Sequence, residues 1–141
     1  MLRVLADTFP FVEPDTQYSA RKAVKVAEKF TNSDVSNKDI IISFDVNGTL
    51  IGGPSAGAAI AVATVAAIEG KNVSKDAVIT GTIEEGGYIG EVGGVFEKPK
   101  IFWFTFVSVW FTSVGLKEYK KGKMEVEEVS TIDDAVAYRI R

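Results

Sequence analysis

The 141-residue chain contains neither cysteine nor histidine. Without cysteine there are no disulfides and no thiol chemistry, without either residue there is no Cys/His zinc site, and without histidine no imidazole can act as general base. Any enzyme built on this sequence needs another proton acceptor. Charge of one sign is lacking too: the formal net charge is −3 and acidic and basic residues are interspersed, which is not the footprint of a nucleic-acid binder. No nucleic-acid partner is therefore expected. The longest apolar run, "IFWFTFVSVWFTSV" from Ile101 to Val114, is shorter than the roughly 18 residues of a spanning helix, and "MLRVLADTFPF" lacks the charged start and long apolar core of a secretory signal. The chain reads as soluble, set in the cytoplasm or, within a longer protein, beside a membrane. A nucleotide-hydrolysing loop is also missing, because neither Gly70-Lys71 nor Gly122-Lys123 follows a glycine-rich stretch with serine or threonine.

Hydrophobic residues make up 46% of the chain, which suits one compact domain with a core. Strands alternate with helices along it, giving an α/β (or α+β) domain. "LRVLADTFPFV" reads as a strand whose partner is not obvious, and Ala20, Ala23, Val24, Ala27 and Phe30 mark an amphipathic helix entered through Asp15 or Thr16. "DIIISFDV" reads as a buried strand. Pro54 suits the first turn of a second helix, running through small apolar residues to about Glu69 and ended by Gly70. "AVITGTIE" and "GYIGEVGGV" follow as two strands of a hairpin turning through "EEGG". Later, "LKEYKKG" reads as a short helix, "MEVEEV" as a strand, and Ser130 with Asp133 as the capping box of a closing helix.

"GTIEEGGYIGEVGG" fits a hairpin better than a phosphate cradle, because no strand-to-helix switch surrounds it. Glu84 and Glu85 are adjacent, so on a strand they face opposite ways, and a solvated turn suits them better than a catalytic pair. "GGPSAG", residues 52–57, poses the sharper question. Ser55 can be a helix cap that satisfies free amides, or a nucleophile at a helix start whose amides and positive potential would stabilise an oxyanion. Glycines at 52, 53 and 57 would let a substrate backbone come close. With no histidine, the proton acceptor for such a serine would be a neutral lysine.

"GGPSAGAAIAVATVAAIEG", "AVITGTI", "GYIGEVGGVFEK" and, upstream, "DTQYSARKAVKVAE" together resemble the proteolytic domain of the Lon family of serine peptidases, and most of all its archaeal members without a fused ATPase. The resemblance covers about residues 3 to 100. It implies the fold of that domain, a Ser/Lys dyad of Ser55 and Lys98, and a supporting Thr80 that helps orient the lysine. Gly53, Pro54 and Ala56 would form the oxyanion site and the path of the substrate backbone. To act near neutral pH, Lys98 would have to lie below its reference pKa of about 10.4, through burial and the nearby helix start. No metal or organic cofactor is implied. The implied partners are protein or peptide substrates, further copies in a homo-oligomer such as a hexameric ring, and a separate ATPase.

The sequence departs from the family at several places. Gly52 and Thr82 stand where acidic residues are common, and Pro99 directly follows Lys98. Residues 99–141 form a divergent last part of the same domain, and the first strand is expected to be a truncated one with an unpaired edge. Phe102, Trp103, Phe104, Phe106, Trp110 and Phe111 are too many rings for one solvated surface, which suggests self-association through that run. A non-catalytic binding or assembly domain with a degraded site is the alternative reading.

Overall fold

The computed structural model describes residues 3–6, 11–45, 50–75, 77–91, 109–112 and 125–139. Its elements are β1 (Arg3–Ala6), β2 (Phe11–Val12), α1 (Pro14–Thr31), β3 (Asp39–Ile42), β4 (Leu50–Ile51), α2 (Gly57–Glu69), β5 (Ala77–Thr80), β6 (Thr82–Ile83), β7 (Ile89–Gly90), β8 (Val109–Thr112), β9 (Glu125–Glu128) and α3 (Ile132–Arg139). The mixture is the expected α/β one, with α1 packed on α2 and β1, β5 and β6 against the two helices.

Helix α1 starts two turns earlier than its apolar stripe, because Pro14 has the fixed φ of a first helical position and Asp15 favours the positive end of the helix. Thr16, Ser19, Ala20, Ala23, Val24 and Ala27 form its buried face. It ends where Asn32 turns left-handed at φ 49° and the Ser33 amide reaches back to the Glu28 carbonyl at 3.1 Å. Helix α2 starts later than expected, at Gly57 rather than Pro54, and Gly70 at φ 65° closes it. Ala58, Ala61, Val62, Val65 and Ala66 are buried along α2, and small side chains let it pack closely against α1. At Gly57 the approach is close: a Cβ there would lie 2.5 Å from the Ser19 Oγ and 3.0 Å from the Ile83 amide nitrogen. Ile83, Ile89, Val129, Ile132 and Ala135 complete the core.

The sheets are mostly parallel. β1 pairs with β3, β2 with β4, and β8 lies between β5 and β9 with Trp110 opposite Val78 and Val126. The first strand expected from the sequence is thus two short ones, with a partner for each. β3 is half-buried rather than buried, and Ile41 is 68% exposed. The expected hairpin exists but is shorter: β6 and β7 pair antiparallel, Ile83 opposite Ile89, around a turn with Gly87 at φ 82°. "AVIT" belongs to another sheet, because the backbone of Gly81 is drawn to the start of α2 and interrupts the strand. The capping box is one residue later than expected. Thr131 and Asp134 form it, with the Thr131 amide donating to the Asp134 carboxylate at 3.1 Å and the Asp134 amide to the Thr131 hydroxyl at 3.3 Å. α3 is docked on the hairpin by the Ile132 amide, which donates to the Gly87 carbonyl at 2.8 Å.

The helix expected in "LKEYKKG" and the aromatic residues of 101–108 lie outside the described residues. No described helix is long and apolar enough to cross a membrane.

Candidate active site

Residues 53–56 form a tight turn between β4 and α2. Gly53 sits at φ 83°, a conformation that glycine adopts without strain and other residues do not. From there the chain passes through Pro54 to Ser55, with Ala56 as the N-cap of α2 and no side-chain cap bond at that helix start. Ser55 therefore does not cap the helix. It is half-buried, and among the described residues its hydroxyl has no hydrogen-bond partner. The buried hydroxyls that border the turn are engaged: Thr16, Ser19 and Thr80 each face a carbonyl oxygen of residues 53–55.

The turn is held from two sides. On the α1 side, the Thr16 hydroxyl donates to the Gly53 carbonyl at 2.7 Å, the Ser19 hydroxyl to the Pro54 carbonyl at 3.3 Å, and the Gly53 amide to the Asp15 carboxylate at 3.1 Å. On the other side, the Gly81 amide donates to the Ser55 carbonyl at 3.0 Å, and the Thr80 hydroxyl approaches the same oxygen at 3.5 Å. The Ala58 amide completes that side by donating to the Gly81 carbonyl at 3.0 Å.

These bonds also decide which amides stay available. The Gly53 amide is taken by Asp15, and Pro54 has no N–H, so neither can donate to a substrate oxygen. Among the described residues the amides of Ser55 and Ala56 have no acceptor. Both stand at the positive end of α2, where negative charge is favoured.

Two hollows adjoin the turn, one reaching Ala56 and the other Pro54. One of about 920 Å³, lined by Ile40, Ile42, Phe44, Ala56, Ile60 and other residues, runs between β3 and α2. The other, of about 460 Å³, lies between α1 and β6 and is bounded by Pro54, Tyr18, Lys22, Ile83 and Glu84 among others. Lys22 bonds Glu84 across it at 3.1 Å. Glu84 and Glu85 are exposed in the hairpin turn. At Gly52, a Cβ would fall on the Glu13 carboxylate, so Glu13 puts its acid where a side chain of residue 52 would lie.

Of the residues expected at the site, Ser55, Thr80, Gly53, Pro54 and Ala56 are together in the structure, while Lys98 and Pro99 lie outside the described residues. The roles of Asp15, Thr16, Ser19 and Gly81 are not in the sequence reading. One signal was available: Thr16 and Ser19 are polar residues on an otherwise apolar helical stripe.

Comparison with known proteins shows a family that contains this stretch of chain. The family model of the Lon protease (S16) C-terminal proteolytic domain matches residues 15–101, well over half the chain. The chain is similar to the archaeal Lon protease of Archaeoglobus fulgidus, 37% identical over 86 residues that cover 58% of this chain and 14% of that protein. It is also similar to the archaeal Lon proteases of Thermoplasma volcanium, 38% identical over 52% of this chain and 11% of the relative, and Methanocaldococcus jannaschii, 37% identical over 46% and 10%. The match thus spans a small fraction of each relative's length.

Proposed function

The chain belongs to the Lon protease proteolytic-domain family, and on that premise we propose that it hydrolyses peptide bonds with Ser55 as nucleophile and Lys98 as its base. The Ser55 Oγ attacks the scissile carbonyl carbon while the neutral amine of Lys98 takes the hydroxyl proton. As the tetrahedral intermediate collapses, the C–N bond breaks and the proton passes to the leaving amine. Water then adds to the ester, releasing the acid and restoring the hydroxyl. The oxyanion lies against the Ser55 and Ala56 amides at the start of α2. Thr80, beside the Ser55 carbonyl, orients the lysine. The chemistry needs no metal or organic cofactor.

The observation that carries this reading is the Ser55 hydroxyl itself, half-buried, without a hydrogen-bond partner among the described residues and next to two amides without acceptors. Ser55→Ala tests it. Peptide turnover should vanish, and a peptide boronate or fluorophosphonate that modifies the wild type at Ser55 should leave the variant untouched. The fold should stay within about 0.5 kcal/mol of wild type, because the hydroxyl stabilises nothing that the structure describes. Turnover retained by Ser55→Ala would end the proposal.

Protein or peptide substrates follow from the same premise, as does assembly into a homo-oligomer, a hexameric ring, fed by a separate ATPase. The aromatic run beyond Lys98 would supply part of the subunit contact. Aromatic-to-aspartate substitutions in 102–106 should then shift sedimentation towards monomer. Gly52, Thr82 and Pro99 favour a second reading, a binding or assembly domain with the fold retained and chemistry lost. That reading predicts no Ser55 adduct at all.

A further inference from the structure

Three successive carbonyls, those of Gly53, Pro54 and Ser55, are each hydrogen-bonded. A trans peptide is planar, with its C=O and N–H pointing opposite ways, so fixing a carbonyl also aims the amide of the next residue. The Pro54 carbonyl, which accepts from the Ser19 hydroxyl at 3.3 Å and from the Gly57 amide at 3.1 Å, aims the Ser55 amide. The Ser55 carbonyl, held by Gly81, aims the Ala56 amide. Upstream, the Thr16 hydroxyl at 2.7 Å and the Asp15 carboxylate at 3.1 Å fix both polar groups of Gly53, the residue whose positive φ sets the direction in which Pro54 and Ser55 leave the strand.

These donors are unusual for their position. Thr16 is 0% exposed and Ser19 6%, and both stand on the face of α1 that buries alanine and valine further along. A hydroxyl on such a face costs desolvation unless it is bonded: Ser19 bonds the Pro54 carbonyl, and Thr16, besides a longer contact of 3.4 Å with the Asp15 carboxylate, makes its shorter bond, 2.7 Å, to the Gly53 carbonyl of the turn. We propose that Thr16 and Ser19, assisted by Asp15, are positioning residues of the hydrolysis: they clamp the Gly53–Ser55 backbone so that the Ser55 hydroxyl and the Ser55 and Ala56 amides face one substrate carbonyl. The inference rests on the peptidase reading of Ser55 and gives the first turns of α1 a part in it. None of the three touches the reacting atoms. Their effect is geometric, and a displacement of about 1 Å in such a site can cost on the order of 100-fold in rate.

Thr16→Val tests the clamp, because it keeps the shape of the side chain and removes only the donor. The expected result is a fall in kcat of about 10- to 100-fold with KM within about 2-fold of wild type, the pattern of a transition-state interaction lost. Thr16→Ser, which returns the hydroxyl without the methyl, should recover most of that kcat. Amide hydrogen exchange supplies a readout that does not depend on turnover: in Thr16→Val, exchange of the bonded Gly53 and Gly57 amides should rise about 10-fold while the interior of α2 keeps its protection. Undiminished kcat in Thr16→Val would overturn the proposal, and so would a Thr16→Ser variant no better than Thr16→Val. A general rise in exchange across α1 and α2 would also overturn it, since that marks a packing residue. If the wild type turns over no peptide, or Ser55→Ala still does, the peptidase reading fails separately. The exchange experiment then decides the clamp alone, with a rise confined to the Gly53 and Gly57 amides supporting it and unchanged exchange refuting it.

Discussion

The amide of Gly81 donates to the carbonyl of Ser55 at 3.0 Å, and the carbonyl of Gly81 accepts from Ala58 at 3.0 Å, so one glycine between two strands holds both ends of the turn that begins α2. The residue must come this close to do so. A Cβ on Gly81 would lie 2.5 Å from the Ile89 Cγ2, and one on Gly57 would meet the Ser19 Oγ and the Ile83 backbone.

Gly57→Ala and Gly81→Ala are expected to destabilise the domain by about 1–3 kcal/mol each, as overpacking does in close-packed cores, and to lower peptide turnover out of proportion. Gly57→Ala should be the worse, because its Cβ meets backbone that cannot swing aside. Urea unfolding measures the first effect and initial rates the second. Equal stability in both variants and the wild type would mean that the helices have more slack than these distances show.

Lys22 is a rival to the proposed Lys98 for the role of base. Lys22 borders the hollow beside Pro54, but its ammonium is engaged by Glu84 at 3.1 Å, a half-exposed pair of the kind that contributes little to stability. Lys22→Met should therefore keep turnover near wild type, while Lys98→Met and Lys98→Arg should abolish it, since guanidinium does not deprotonate in proteins. The opposite pattern would move the base to α1.

Glu13 occupies the place of a side chain at residue 52. Gly52→Asp alone should lower the melting temperature by pushing two carboxylates together, and Glu13→Ala should relieve most of that loss in the double variant. A double-mutant cycle reads the coupling, expected at about 0.5–3 kcal/mol for residues in contact. Additive effects would show that the two positions do not meet.

Asp134 caps α3 through the amides of Ser130 and Thr131, at 3.2 and 3.1 Å. Hydrogen bonding by the Thr131 side chain, and then by the Ser130 amide, holds its carboxyl below the ordinary 3.8. A carboxylate with a lowered native pKa stabilises the fold above its unfolded value, and that contribution is lost as pH falls through the native one. Asp134→Ala should cost about 0.5–1 kcal/mol near neutral pH, the lower part of the range for caps because the group is exposed. The difference from wild type should shrink below about pH 4, where the unfolded carboxyl also protonates. A pH-independent difference would assign the effect to helix propensity instead.

Sequence alone determined the parts of this protein that depend on neighbours a few residues apart. Helical periodicity marked α1, Gly70 marked the end of α2, the glycines of "EEGG" marked the hairpin, and "GGPSAG" marked the place of Ser55. Each of these is a local preference of φ, burial or turn geometry, and so it is written in a short stretch of chain. Even there, boundaries moved by a turn or a residue: Pro14 rather than Asp15 opens α1, and Thr131 rather than Ser130 caps α3. The tertiary structure decided what holds Ser55. Thr16 reaches Gly53 from 37 residues away and Ser19 reaches Pro54 from 35, and Gly81 leaves its strand to bind the turn from the other side. A threonine on an apolar stripe shows that something must satisfy a buried hydroxyl, but not which carbonyl will. That choice is made only when α1, the turn and the end of β5 pack together, because hydrogen bonds between distant segments follow from packing and leave no period in the sequence.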